Sequence, residues 1–196
     1  MEDLNQAQGG NLQPIKWLCL KSLMEVFIDP AQHQMVSIKY FSAYQSWRPN
    51  KAARHAEYVK ALKHTGVEVH LGNFKEKDKY CGLCQGTFKG HEEKESDVNF
   101  ATELVADAHD NKFDIAYIVT RDSDLAGPMR HIRKRFPEKR LKVIAPQWRR
   151  HSKELFAIAT HNASIKQAHL SACRMPNEVK DDQGNVVATC PQKYWI

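Results

Sequence analysis

The sequence predicts an α/β domain with a mainly parallel sheet. Helical and strand-like patterns alternate along the chain, and the strand-like segments are short. Two of them, residues 115–120 and 141–145, are apolar without alternation, as expected for strands buried on both faces. A chain of 196 residues, 42% of them hydrophobic, is long enough to build a packed core of this kind.

The first half of the chain is predicted to contain two helices and two strands before a polar loop. Residues 17–27 and 51–65 place apolar side chains at helical spacing. Residues 36–44 and 67–71 are rich in β-branched and aromatic side chains, which favours strands. Residues 75–95 are polar and charged, and we expect a loop that contains two of the five cysteines.

The second half is predicted to alternate helices with the two apolar strands and to end in a hairpin. The helical patterns lie at residues 98–109, 128–136 and 152–160. A turn signal at residues 182–185 precedes a strand-like run at residues 186–189. We therefore expect a main domain over residues 1–163 and a C-terminal tail, a short β appendage, over residues 164–196.

Composition narrows the classes of function. Lysine and arginine exceed the acidic residues, giving a formal net charge of +6, which favours polyanionic partners. No run approaches the roughly 18 apolar residues of a membrane helix, and the first residues are acidic and polar, unlike a secretory signal. The sequence therefore predicts a soluble cytoplasmic protein without membrane contacts. Five cysteines, an odd number, argue against a disulfide framework.

Three aspartates are candidate metal ligands. Asp122 and Asp124 follow a buried strand, at the sheet edge where ligands bind in α/β proteins. Carboxylates separated by one residue can flank a single divalent cation. Asp97 opens the helix that leads into that strand, so it reaches the same edge only if the preceding segment brings it across. The alternative is that Asp97 and Asp124 only cap helices.

Two acidic stretches carry a resemblance to a known family. The run from His91 to Ala101, HEEKESDVNFA, and the run from Asp114 to Leu125, DIAYIVTRDSDL, closely resemble the NYN domain family of PIN-like nucleases. The resemblance implies a PIN-like, Rossmann-like three-layer domain with a mainly parallel central sheet. It also takes in residues 16–18, 40–43 and 75–78, the cysteine pair and Pro146.

The resemblance implies a metal-dependent ribonuclease. Asp97, Asp122 and Asp124 match the metal-binding acids of the family, which cluster around Mg²⁺ or Mn²⁺ to hydrolyse RNA phosphodiester bonds. Such a metal polarises a phosphoryl oxygen and lowers the pKa of bound water. Four further residues are candidates for contacting RNA, although caps or solvated surface would explain them too: Lys94, Asn99, Thr120 and Ser123.

The sequence departs from the family at its start. Family members usually begin with an apolar strand that ends in Asp-Gly-x-Asn, whose aspartate is a principal metal ligand. The corresponding strand is expected to be missing here, with Glu2 or Asp3 as substitutes for the aspartate. An alternative function is therefore a catalytically weak or inactive RNA-binding or interaction module of the same fold.

The cysteine loop has several interpretations. Cys81 and Cys84, followed by His91, resemble half of a zinc knuckle, and zinc requires four ligands. His70, His109 or a residue from a partner protein could supply the fourth. Such a loop could also make the domain a zinc-stabilised scaffold that engages a protein partner. The alternatives are a redox dithiol or two plain reduced thiols.

A basic segment follows the second apolar strand. Trp148, Arg149 and Arg150 lie just beyond its carboxyl end. There the arginines could hold RNA phosphates while the indole stacks on a base. The other interpretation is an ordinary solvated surface.

Overall fold

The computed structural model describes residues 16–147 and 152–195. Its helices and strands have the following bounds. The helices are α1 Leu20–Glu25, α2 Pro49–His64, α3 Ser96–His109, α4 Ala126–Arg135, α5 Lys153–Ile158 and α6 Gln167–Ala172. The strands are β1 Lys39–Ala43, β2 Glu68–Tyr80, β3 Thr87–Lys94, β4 Ile115–Val119, β5 Arg140–Ala145, β6 His161–Ser164, β7 Glu178–Lys180 and β8 Val186–Thr189.

The strands form two three-stranded sheets and a separate hairpin. In the first sheet β1 pairs in parallel with β2, and β2 pairs antiparallel with β3. In the second sheet β4, β5 and β6 lie side by side and all pair in parallel. Within the described ranges, β1 and β4 each pair with a strand on one side only. The predicted α/β class with mainly parallel pairing is confirmed.

The second sheet carries the apolar strands that the sequence predicted. Leu141 and Val143 of β5 are fully buried and pack with Met129 and Ile132 of α4 and with Leu155 of α5. Burial of such side chains stabilises the fold by about 1.5–3 kcal/mol each. Strands β4 and β5 are parallel and are followed by α4 and α5, respectively. The carboxyl ends of the two strands therefore lie at the same edge of this sheet.

Helix α3 covers one face of the first sheet. Lys39, at the start of β1, donates hydrogen bonds to Glu103 (2.7 Å) and Asp107 (2.6 Å) in the second half of α3. Phe41 packs edge-on against Phe100, nearer the start of the helix, with ring centroids 4.9 Å apart. Helix α3 therefore runs antiparallel to β1 and starts at the carboxyl edge of the sheet.

The C-terminal residues share a core with α2. Trp17 is fully buried, and its indole N–H donates to the carbonyl of Pro176 at 2.7 Å. Val179 of β7 and Ala188 of β8 belong to the same buried cluster as Leu62 of α2. The hairpin β7–β8 therefore packs against α2.

The structure differs from the sequence prediction most clearly at residues 75–95. This segment, predicted as a loop, forms most of a long antiparallel hairpin between β2 and β3. Its side chains are charged and largely exposed on both faces, so the apolar alternation that identifies a strand is absent. Ladder hydrogen bonds and cross-strand ion pairs hold it instead, such as Lys89 with Glu76 (3.2 Å) and Asp78 (2.8 Å).

Smaller differences concern short elements. Helix α1 is confined to Leu20–Glu25, because Leu18 forms a β-bridge to Arg174 instead of joining the helix. Strand β6, His161–Ser164, was not predicted; it is only four residues long and has no fully apolar run.

Over the described part of the chain, no helix is both long and apolar enough to cross a membrane.

Candidate active site

Asp122 and Asp124 lie in a tight turn immediately after β4. Asp122 caps the 3-10 helix Ser123–Leu125: its Oδ1 accepts the backbone N–H of Asp124 at 3.0 Å. The backbone N–H of Asp122 in turn donates to Thr120 Oγ1 at 3.0 Å. These two bonds fix the turn, and the Asp124 carboxylate caps neither this helix nor α4.

Asp97 lies at the carboxyl edge of the first sheet because the β2–β3 hairpin reverses the chain, and α3 contacts the 3-10 helix that follows β4 of the second sheet. Strand β2 runs alongside β1 as far as Gly72, which is opposite Ala43 at the end of β1. Strand β3 then returns to this point, and α3 begins beside it at Ser96. A β-carbon on Gly72 would lie 2.8 Å from Ser96 Oγ, so the two backbones are in close approach. The N-cap of α3 is Glu95, whose side chain makes no capping hydrogen bond, and Asp97 lies in the first turn.

Four carboxylates interact electrostatically at this edge. The pKa of Asp97 is raised above its usual value, first by partial burial and then by the negative charges of Asp122, Glu93 and Asp124. We call these four residues the carboxylate cluster. No three acidic, histidine or cysteine side chains in the described parts of the chain converge closely enough to form a complete metal site.

Glu93 is the member of this cluster that the sequence analysis did not select. It lies opposite Phe74 in the hairpin, and Ser96 Oγ donates to its Oε1 at 2.5 Å. The only sequence signal was its position in the Glu-Glu-Lys run before Asp97. Because that run was predicted as loop, no alternation indicated which of the two glutamates faces Asp97.

A histidine and several aromatic rings lie beside the cluster. The Nε2 atom of His55 is 3.3 Å from the Tyr40 hydroxyl, and its ring packs edge-on against Tyr44 with centroids 5.0 Å apart. Burial lowers the pKa of His55, and this effect outweighs the nearby charge of Glu93, which raises it. The imidazole is therefore biased towards its neutral form. These residues were also missed by the sequence analysis.

The remaining residues predicted to contact RNA lie around this edge. Lys94 Nζ donates to Glu92 Oε2 at 3.1 Å, and Asn99 is half-buried in the first turns of α3. Thr120 holds the Asp122 turn, and Ser123 is exposed at the start of the 3-10 helix. The predicted basic segment of Trp148, Arg149 and Arg150 lies outside the described residues.

The structure does not bring His91 to the cysteine pair. Cys81 and Cys84 lie in the turn between β2 and β3, next to the pair Tyr80–Thr87. His91 is four residues further along β3, roughly 13 Å away at the usual rise of a strand. Its ring is stacked on Trp47 instead, with centroids 3.7 Å apart. The physical reason is the hairpin itself, which extends a segment that was expected to fold back as a loop.

The other histidines considered as zinc ligands are also placed elsewhere. His70 is stacked on Phe41 in the first sheet, with centroids 4.8 Å apart. His109, at the end of α3, has its Nε2 atom 3.4 Å from Nε2 of His131. In the turn itself, the backbone N–H groups of Cys84 and Leu83 donate to the Cys81 sulfur and lower the pKa of this thiol.

A family model identifies the family to which this chain belongs. The NYN domain model matches residues 11–166 of the 196. The chain belongs to the NYN domain family. This match confirms the resemblance drawn from the two acidic runs and places the chain in the PIN-like superfamily. The NYN family is known for nuclease activity, and its members act on nucleic acids.

One solved structure supports the fold. It is a protein of unknown function from Vibrio parahaemolyticus, with a TM-score of 0.52 and 21% sequence identity. The similarity covers 76% of this NYN chain and 80% of the other. None of the curated proteins matches the sequence.

Proposed function

We propose that this NYN domain is a metal-dependent ribonuclease that hydrolyses RNA phosphodiester bonds at the carboxylate cluster. The observation that supports this most is the close approach of Gly72 to Ser96, which places Asp97 near the Asp122–Asp124 turn. In agreement with this placement, partial desolvation and the charges of Asp122, Glu93 and Asp124 raise the pKa of Asp97. Carboxylates on a folded surface usually lie apart or beside cations, because like charges repel. A cluster of them at the ligand-binding edge of an α/β sheet is typical of a site for a hard cation.

The donor set fits Mg²⁺ or Mn²⁺. Asp97, Asp122 and Asp124 offer carboxylate oxygens, the ligand type that both ions prefer. A bound ion would polarise a phosphoryl oxygen and lower the pKa of a water molecule. The repulsion that raises the pKa of Asp97 would be relieved by a cation, so binding and deprotonation are coupled.

The residues around the aspartates would position the substrate. Thr120 and Asp122 fix the turn through two hydrogen bonds of 3.0 Å, so the Asp122 carboxylate is held before any ligand arrives. Ser123 is exposed next to it and can donate its hydroxyl to a phosphate oxygen. Such positioning contributes to catalysis by reducing the entropy that is lost in the transition state.

The hairpin offers a basic face for the RNA backbone. Four exposed lysines lie on one face of it: Lys75, Lys77, Lys79 and Lys94. Glu92 lies among them, with its carboxylate 3.8 Å from Lys77, 3.6 Å from Lys79 and 3.1 Å from Lys94. One carboxylate cannot neutralise four ammonium groups, so this lysine face retains a positive charge. It begins at Lys94, next to Glu93, whose own side chain lies on the other face with Phe74. A positively charged face next to the cluster suits RNA phosphates.

A second candidate function is an RNA-binding or interaction module with weak or no catalysis. It is favoured by one observation: no three potential ligands among the described residues converge into a complete metal site. In that case the lysine face would bind RNA without cleavage. The carboxylates would then be surface residues whose mutual repulsion serves no catalytic purpose.

An RNA cleavage assay separates the two functions. Purified protein is incubated with a labelled single-stranded RNA in Mn²⁺, in Mg²⁺ and in EDTA. We expect cleavage with either metal and none in EDTA. An Asp97→Asn protein should lose this cleavage while its melting temperature is unchanged or slightly higher, because one repulsive charge is gone. Binding of the RNA without cleavage under any metal would support the second function.

A further inference from the structure

The tip of the β2–β3 hairpin carries half of a tetrahedral metal site. Cys81 and Cys84 occur with two residues between them in a tight turn, which a hydrogen bond from the Cys81 N–H to the Gly86 carbonyl closes at 2.8 Å. Cys84 is exposed at the apex of the hairpin. Two cysteines at this spacing are half of the ligand set of a structural zinc site.

The chain itself does not complete this site in the described residues. Zinc in structural sites has four ligands, and a Cys-x-x-Cys turn supplies two. His91, His70 and His109 all lie elsewhere, and no group of three potential ligands is found in the described part of the chain. Two further thiolates are therefore required from outside the turn.

The hairpin projects far enough for a second copy to supply them. Pairing of β2 with β1 ends at Gly72, and residues 73–80 continue beyond the sheet while paired only with β3. The base of the hairpin packs against Trp47, whose ring centroid is 4.7 Å from that of Phe74 and 3.7 Å from that of His91. Residues 77–80, beyond these contacts, span roughly 13 Å, so the turn lies away from the sheet. A two-fold axis between two copies would bring two identical turns together, as expected for a closed dimer.

Apolar side chains around the tip also need a covering surface. Leu83, in the turn, is 98% exposed, and Tyr80 and Phe88, on either side of it, are 66% and 53% exposed. Tyr80 is opposite Thr87 and Phe88 is opposite Lys79, so these two rings lie on opposite faces of the hairpin, with Leu83 at its apex. Two copies meeting at their tips would bury Leu83 against its equivalent, which adds hydrophobic stabilisation to the metal bonds.

We propose that two copies of this chain bind one zinc ion between their hairpin tips through Cys81 and Cys84 of each copy. The four cysteines each lose a proton to the solvent on binding, so the four thiolates and the zinc ion together carry a charge of −2. The proposal is independent of the ribonuclease function, because the tip lies at the far end of the hairpin from the carboxylate cluster.

The test is the zinc dependence of the molecular mass in solution. The full chain is kept reduced with a phosphine and measured by light scattering after gel filtration, with added zinc and with a chelator. We expect a monomer of 22.5 kDa in the chelator and a dimer of twice that mass with zinc. Metal analysis of the dimer should give one zinc for every two chains.

Variants connect the dimer to the turn. A Cys81→Ser/Cys84→Ser protein should stay monomeric with zinc and keep the parent melting temperature, because both side chains lie in a solvent-facing turn. Cys19→Ser, a change at a half-buried cysteine outside the hairpin, should still dimerise. A monomer that binds one zinc per chain, a protein that binds no zinc, or a zinc-dependent dimer of the double variant would each overturn the proposal.

Discussion

Gly72 in β2 lies directly against Ser96 at the start of α3. A β-carbon at Gly72 would come within 2.5 Å of the Lys94 carbonyl oxygen and 2.8 Å of Ser96 Oγ. Only a glycine allows the first strand pair and the returning hairpin to approach this closely. This contact places Asp97, the next residue after Ser96, at the carboxyl edge of the sheet.

A Gly72→Ala substitution should therefore move the start of α3. The backbone atoms that meet the added methyl group cannot rotate away, so we expect a loss of about 1–3 kcal/mol in the free energy of unfolding. RNA cleavage should fall as well, because Asp97 is displaced. Urea unfolding and the cleavage assay measure the two effects.

The matched control is Gly127→Ala in α4. A β-carbon there meets nothing within 4 Å, and alanine favours a helix more than glycine does. This protein should be as stable as the parent or more stable. Equal stability of Gly72→Ala and the parent would show that the close approach is not a constraint.

Lys39→Met should destabilise the contact between β1 and α3. Lys39 and Asp107 are both largely buried, and among the described residues the substitution leaves Asp107 with Lys112, 3.3 Å away, as its remaining ion-pair partner. We expect a loss of about 2–3 kcal/mol, as for other hydrogen-bonded charges left unpaired by mutation. Lys60→Met, which removes an exposed pair with Glu57, should change stability by less than about 1 kcal/mol. Equal losses of unfolding free energy for Lys39→Met and Lys60→Met in urea would show that the buried ion pair stabilises the fold no more than the exposed one.

His55 should make stability depend on pH. Burial lowers its folded-state pKa below the ordinary value of 6.5. As the pH falls through 6.5, the unfolded chain takes up a proton at this imidazole while the folded chain does not, so proton uptake favours unfolding. Stability should therefore decrease with falling pH until the folded-state pKa is passed. In His55→Gln this part of the decrease should be absent. Parallel stability curves for the two proteins between pH 8 and 5 would show that His55 does not contribute.

The lysine face should determine how RNA binding depends on salt. Each phosphate contact to a single strand contributes about 0.7 to the slope of log K against log salt concentration. Replacing Lys77 and Lys79 by alanine should weaken binding in EDTA and reduce that slope by about 1.4. Lys60→Ala/Lys63→Ala, with the same charge change on α2, should leave the slope at the parent value. If both double variants keep the parent slope, RNA binds elsewhere.

The sequence predicted those parts of the fold whose pattern is set by burial. Strands β4 and β5 were recognisable because their runs are apolar throughout, although in the structure β5 is buried and β4 is only half-buried. Helices α2 and α3 were recognisable because one face of each is buried. The hairpin was not recognisable, since Lys-Glu-Lys-Asp-Lys places charges on both faces and leaves no apolar period. Cross-strand pairing, which depends on residues distant in the sequence, determines this structure.

The same distinction applies to the candidate site. Asp122 and Asp124 could be selected because they follow a buried strand in the chain. The position of Asp97 could not be settled, because it depends on the hairpin that reverses the chain. Glu93 and His55 were missed, since their approach to the site comes from strand register and from the packing of α2. Only the three-dimensional arrangement brings them together.

The most direct test of the proposed ribonuclease is the effect of Asp122→Asn on RNA cleavage in Mn²⁺. Asparagine is nearly isosteric, and its side-chain oxygen can still accept the Asp124 N–H, so the turn should keep its structure. Asp114→Asn, an exposed change just before the other end of the same strand, is the matched control. We expect Asp122→Asn to lower cleavage by at least about 100-fold, because mutation of a group that merely supports a metal ligand already costs about 10–100-fold. The melting temperature should be unchanged, and Asp114→Asn should keep full activity. Equal cleavage by Asp122→Asn and the parent would contradict the assignment of the carboxylate cluster as the catalytic site.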